Sequence, residues 1–271
     1  HRYASVLRWL CLSLVAYVAV LFTINVDWHA VWHAVIAPPL TWNRTTLAAC
    51  IAIAGTTISP YLFVWQAAEE VEDMHDGIAD ISRVHVRSMR IDVSAGMLTG
   101  VIIMFAIMTT AGTELHARGI TNVASAEAMA AALKPLAGDF AGLLFALGVV
   151  GTGLLAVPVL AGASAYAVAE LMEWPESLER KPSRAKAFYA VIVASMVIAL
   201  LLNLLQVNPM YGLFLAAITN GLSAPVLLLL IGIIASRASV MGELRSGRIS
   251  QTLVFGTVIL MTAAPIAWLL S

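Results

Sequence analysis

The chain has 271 residues, 61% of them hydrophobic and 11% charged, with a formal net charge of −1. A mean hydropathy of +0.90 excludes an ordinary soluble domain and every disordered class, neither of which carries so much apolar and so little charged sequence. Charges collect between apolar runs of about 20 residues, each long enough to cross roughly 30 Å of hydrocarbon.

Seven such runs are predicted as membrane-spanning helices: 6–25, 45–68, 93–115, 137–160, 188–207, 209–235 and 252–270. The whole is expected to be a single transmembrane domain, 1–271, of an all-α membrane protein. The chain starts at His1, and Arg2 to Arg8 leads straight into the first run, without the basic start, short apolar core and small-residue cleavage site of a signal peptide. The expectation is that the natural N-terminus lies upstream, and with it part of any functional site. With the start on the cytoplasmic side, inside segments carry twelve of the fifteen basic residues, and outside segments only Arg44, Arg118 and Lys134. That positive-inside bias predicts a multi-pass protein of the cytoplasmic (inner) membrane, its C-terminus outside.

The first loop, 26–43, holds Trp28, Trp32 and Trp42, amphipathic indoles suited to the membrane–water interface. His29 and His33 stand four apart, but the Glu of a zincin His-Glu-x-x-His is absent.

The second run holds Gly55-Thr56-Thr57-Ile58-Ser59-Pro60-Tyr61 in its middle. Gly55 weakens a helix, and Pro60 has no N–H and clashes with the carbonyl four residues back. Ser59, as the residue before proline, is biased out of the α region. A helix broken at mid-membrane frees backbone groups that lipid cannot satisfy, so such a backbone persists where it lines a protein cavity. In transporters that cavity is the substrate site.

Beyond the break, Glu69, Glu70, Glu72, Asp73, Asp76 and Asp80 precede Arg83, Arg87 and Arg90. Two readings compete here. One is a solvated helical continuation with pairs such as Asp80–Arg83. The other is an acidic vestibule concentrating cations at the inner mouth of a pathway, led by Glu69 and Glu70.

Gly96 and Gly100 in the third run, and Gly138 to Gly162 in the fourth, predict close helix packing, with a kink near Pro158 and helix continuing through 161–170. In the sixth run Asn220 is either interhelical glue or a cavity-facing amide oxygen for a cation. Cys11 and Cys50 are expected to be inert thiols, since no CxxC spacing occurs. No run carries a mid-span Asp, Glu, Lys or Arg; Glu114 and Asp139 sit at span ends. Nucleophile–base pairs, paired carboxylates and Gly-x-Ser-x-Gly are also absent from the runs, so no enzyme and no cofactor is expected.

The broken span resembles the sixth transmembrane helix of the Nramp family of divalent metal transporters. Gly55-Thr56-Thr57-Ile58-Ser59-Pro60-Tyr61-Leu62 occupies the place of the family's Gly-Ala-x-x-Met-Pro-His-Asn motif. The stretches 56–73 and 151–170 resemble a divergent bacterial branch, and helix order and orientation resemble the family's fifth through eleventh helices. The resemblance implies a LeuT-type fold of two inverted five-helix repeats, with the second repeat complete here and the Asp-Pro-Gly motif of the first helix upstream. It implies metal transport by alternating access, with the metal as substrate, the lipid bilayer and the upstream helices as partners, and no nucleic acid.

Carried over residue by residue, Thr56 and Ser59 stand where the family has a carbonyl-donating Ala and a thioether-donating Met, and Asn220 stands near its tenth-helix amide. Replacing the thioether by a hydroxyl or carbonyl favours hard ions such as magnesium, aluminium or manganese. Tyr61 and Gln66 replace the two family histidines linked to proton movement. Neither a phenol nor an amide exchanges protons near neutral pH, which argues against proton coupling through this helix. The alternative is a LeuT-type carrier of a small organic solute such as an amino acid, its carboxylate docked at a half-helix N-terminus beside Tyr61.

Overall fold

The computed structural model describes residues 15–22, 24–38, 41–75, 82–116, 119, 126–175, 177–178 and 181–270. Among them every regular element is helical: α1 (Val15–Leu21), α2 (Trp28–Ile36), α3 (Arg44–Ile58), α4 (Pro60–His75), α5 (Arg83–Thr110), α6 (Ala126–Leu171), α7 (Lys186–Leu204), α8 (Pro209–Ser236), α9 (Ala238–Met241) and α10 (Arg248–Leu270). A π turn, Ala111–Leu115, extends α5, and a 3-10 turn, Gly242–Leu244, follows α9.

Six segments are long and apolar enough to cross a membrane: Arg44–Glu72, Val84–Thr113, Gly148–Leu171, Lys186–Leu204, Pro209–Ser236 and Arg248–Leu270. The protein is therefore a multi-pass membrane protein. Most of the first predicted run, 6–25, lies outside the described residues, as do Cys11, residues 76–81 and the Asp80–Arg83 pair. Helix α5 begins at Arg83, about ten residues before the third predicted run, so the charged residues ahead of Val93 belong to the same rod. Helix α6 passes Pro158 without interruption and carries on to Leu171, as the continuation through 161–170 requires.

The chain divides into two compact units. One comprises residues 1–39 and 84–208 and contains α1, α2, α5, α6 and α7. Here α1 packs on α6 with Tyr17 against Gly148, where an added Cβ would lie 2.9 Å from the Tyr17 ring. The Tyr17 hydroxyl is hydrogen-bonded to Thr152, whose own hydroxyl donates to the Gly148 carbonyl at 2.7 Å. Helix α7 packs on the last turns of α6, where Ala161, Ala165 and Ala169 are buried and let the backbones come close. At the end of that seam Phe188 stands edge-on to Tyr166 (4.9 Å) and to Tyr189 (5.5 Å). Both phenols hold the backbone of Leu178 in the connecting loop: its N–H donates to the Tyr166 hydroxyl at 3.2 Å, and its carbonyl accepts from Tyr189 at 3.1 Å.

The second unit comprises residues 40–83 and 209–271 and contains α3, α4, α8, α9 and α10. Asn43 caps α3 by accepting from the Thr46 N–H at 2.8 Å, satisfying one of the donors that a helix start leaves open. Helix α10 lies along α8, with Val254 and Phe255 against Gly232, and the Arg44 guanidinium at the start of α3 stands 5.8 Å above the Trp268 ring near the end of α10.

Candidate functional site

The break in the second span is one residue wide. Helix α3 runs through Gly55, Thr56, Thr57 and Ile58, and α4 begins at Pro60. Between them Ser59 has φ 46° and ψ 74°, the left-handed region, where an L-residue with a Cβ loses roughly 1–2 kcal/mol. Its N–H still donates to the Gly55 carbonyl at 3.0 Å, closing the last turn of α3. Its carbonyl accepts from the Leu62 N–H at 2.9 Å, opening the first turn of α4. Proline at the first helical position costs α4 nothing, because an N–H there would have no intrahelical acceptor.

The missing N–H is felt upstream. In a continuous helix residue 60 would donate to the Thr56 carbonyl, and proline has nothing to donate. The Ser59 hydroxyl does so instead, at 2.6 Å. With its proton on Thr56, the Ser59 oxygen keeps its lone pairs, and Ser59 is only 7% exposed. The Thr57 hydroxyl is turned back to the Ile53 carbonyl at 2.7 Å. The donors at the break are thus neutral oxygens, hydroxyl and carbonyl, and among the described residues no three His, Cys, Asp or Glu side chains gather into a set able to hold a metal ion.

Gly55 has a different part from the one its sequence suggests. It is helical, and a Cβ there would overlap the Gly221 nitrogen and the Ala217 carbonyl of α8 and come within 2.7 Å of the Gly221 Cα. Reciprocally, a Cβ on Gly221 would overlap the Ile51 carbonyl and come within 2.7 Å of Ile51 Cγ2. Since Cβ atoms lean toward a helix's N-terminus, and each meets atoms one turn N-terminal on the other helix, α3 and α8 run parallel with Gly55 and Gly221 level. Gly221 escaped the sequence reading, although Ala217-xxx-Gly221 has the small-xxx-small spacing that signals such an approach.

This crossing sets the distances of the other predicted residues. Ser59 lies about 6 Å further along α3 than Gly55. Asn220 precedes Gly221 and is half-buried beside the crossing, an axial offset from Ser59 of roughly 7 Å. The two are neighbours of one crossing. Thr56 is exposed, Pro60 buried and Tyr61 half-buried; Gln66 and Glu69 are exposed and Glu70 half-buried. Glu69 and Glu70 follow Pro60 by about 14 Å of helix. They lie too far along α4 to share a cation with Ser59.

Comparison with known proteins adds to this geometry. The model of a family described as Nramp, natural resistance-associated macrophage protein-like, matches residues 1–271. Among curated proteins, the chain is similar to a protein named divalent metal cation transporter MntH in each of three bacteria. Identity is 22% to that of Caldanaerobacter subterraneus subsp. tengcongensis, covering 84% of this chain and 51% of the relative. It is 24% to that of Clostridium acetobutylicum, covering 89% and 53%, and 29% to that of Aeromonas hydrophila, covering 77% and 48%. The chain spans about half the length of the curated relatives it matches.

Proposed function

The chain belongs to the Nramp family, and on that premise we propose that it is the part of a divalent metal transporter that carries the second of its broken helices. The observation that carries the reading is the single-residue break at Ser59, which leaves a buried hydroxyl with free lone pairs beside a carbonyl inside a membrane-length segment. The MntH names of the relatives support a metal ion as the transported substrate. In this reading the protein sits in the cytoplasmic membrane, with residue 1 inside and residue 271 outside, and exposes the cation to each side in turn.

The ligands from this half are the Ser59 hydroxyl and the Thr56 carbonyl, completed by a carboxylate from helices preceding this sequence. Hard oxygen donors without a thioether favour magnesium or manganese over cadmium. Asn220 acts as a polar neighbour of the α3–α8 crossing, and Glu69 and Glu70 hold cations at the inner mouth. Tyr61 and Gln66 line the path without relaying protons, so coupling does not run through this helix.

Calorimetric titration of the full-length protein with manganese, magnesium and cadmium, with and without Ser59→Ala, tests this. Binding of the hard ions that weakens on substitution is the expected result. No binding of any of the three, together with uptake inhibited by amino acids rather than by divalent ions, would move the assignment to an organic-solute carrier. The N-terminus of α4, which begins at the break, would then receive the solute's carboxylate.

A further inference from the structure

Helix α2 repeats four residues in tandem, Trp28-His29-Ala30-Val31 and Trp32-His33-Ala34-Val35. A four-residue period nearly matches the helical turn, so each residue type forms its own stripe. Trp28, Trp32 and Val35 fall within an arc of about 60°, and His29 and His33 lie roughly 110° around from its centre. The tryptophan stripe is open: Trp28 is 47% exposed, Trp32 57% and Val35 55%.

The helix has nine residues and none of them is buried. Its visible support is the cap at its start, where Asp27 accepts from the His29 and Ala30 N–H groups at 3.0 and 3.1 Å. Helices shorter than about 12 residues are marginal in water unless a tertiary surface takes their apolar face. A further surface must therefore hold α2.

We propose that this surface is the bilayer: α2 lies flat in the headgroup layer of the leaflet at which α3 begins, with Trp28, Trp32 and Val35 toward the acyl chains and the His29–His33 stripe toward the headgroups. Three observations favour lipid over a protein partner. The next helix, α3, opens the membrane-length segment Arg44–Glu72, so α2 is tethered to the membrane surface it would lie on. The helix itself carries no Asp, Glu, Lys or Arg, whose absence suits a shallow lipid bed better than a charged protein face. Its large side chains are indoles, apolar in body with one N–H, the residues that belong where hydrocarbon meets headgroup. This inference needs the protein to span a membrane but not to carry a metal, so it stands or falls apart from the transport reading.

The test is site-directed spin labelling of the full-length protein in liposomes, after Cys11→Ser and Cys50→Ser. Trp28→Cys, Ala30→Cys, Trp32→Cys, Ala34→Cys and Val35→Cys are labelled one at a time, and collision with oxygen is compared with collision with a water-soluble nickel chelate. An oxygen-to-nickel ratio several-fold higher at 28, 32 and 35 than at 30 and 34 is expected. High nickel collision at all five positions would place the helix in water and overturn the proposal. Low collision with both reagents at 28, 32 and 35 would show a protein surface over the stripe and overturn it equally. Should labelled variants fail to fold, the conservative pair Trp28→Phe and Trp32→Phe gives a second measurement. Quenching of the protein's fluorescence by lipids brominated near the headgroup is expected to fall in the double variant, and unchanged quenching would remove the lipid contact.

Discussion

The hydroxyl of Ser59 donates to the carbonyl of Thr56 at 2.6 Å, standing in for the N–H that Pro60 lacks. One side chain thereby solves the hydrogen-bond problem that its neighbour creates, and it does so at a backbone angle that ordinarily disfavours any residue but glycine.

Ser59→Ala separates these two effects from Ser59→Gly. Alanine removes the hydroxyl and keeps the strained angle; it leaves the Thr56 carbonyl with one partner fewer, a loss of about 1 kcal/mol. Glycine removes the hydroxyl but relieves the left-handed conformation by roughly 1 kcal/mol. Melting of the purified protein in detergent is expected to rank wild type above Ser59→Gly and Ser59→Ala lowest. Equal melting of the two variants would mean that the angle of Ser59 carries no strain.

Pro60→Ala returns the missing donor. The new N–H competes with the Ser59 hydroxyl for the Thr56 carbonyl and favours one continuous helix. Stability is expected to hold or rise while metal uptake into proteoliposomes falls by at least tenfold. Unchanged uptake would mean that the break is not part of the transport site.

Ser59→Met puts a soft thioether where a hard hydroxyl stands. Relative uptake of cadmium over magnesium is expected to rise several-fold. A ratio that stays constant would remove Ser59 from the ligand set.

Gly55→Ala and Gly221→Ala each push a methyl group into the backbone of the facing helix. Overpacking of this kind costs about 1–3 kcal/mol and more where backbone must move. Either variant is expected to melt several degrees below wild type, and the double variant to lose less than the sum, because the first methyl already parts the helices.

Tyr189→Phe removes the hydrogen bond to the Leu178 carbonyl, both residues belonging to the unit of 1–39 and 84–208. A loss of about 1 kcal/mol in stability, with metal preference unchanged, is expected from parallel melting and uptake assays.

What the sequence made legible was local. Proline without a donor, and a preceding residue pushed out of the α region, are properties of the chain itself, so a break within 55–61, marked by Gly55 and Pro60, could be expected before any packing was known. The length of the apolar runs likewise follows from bilayer thickness. The part of Gly55 was not legible in this way. Its effect on helix propensity is a local property, but its use is the proximity of Gly221, about 165 residues away, and that depends on which two helices meet. Helix α5 also shows why apolar runs misjudge helix ends: the rod begins at Arg83, among charges, because hydropathy marks the lipid boundary and not the hydrogen-bonding boundary. The Leu178 clasp needed two tyrosines from different helices to converge on one loop, and no single window of sequence contains that.

The level pair Gly55 and Gly221 has a mechanical consequence. Backbone meets backbone only while the two glycines face each other. A slide of one turn along the shared axis would set a side chain, Ile51 or Ser59, level with Gly221, where no Cβ fits. Sliding is therefore blocked. The pair thus fixes the register of α3 on α8.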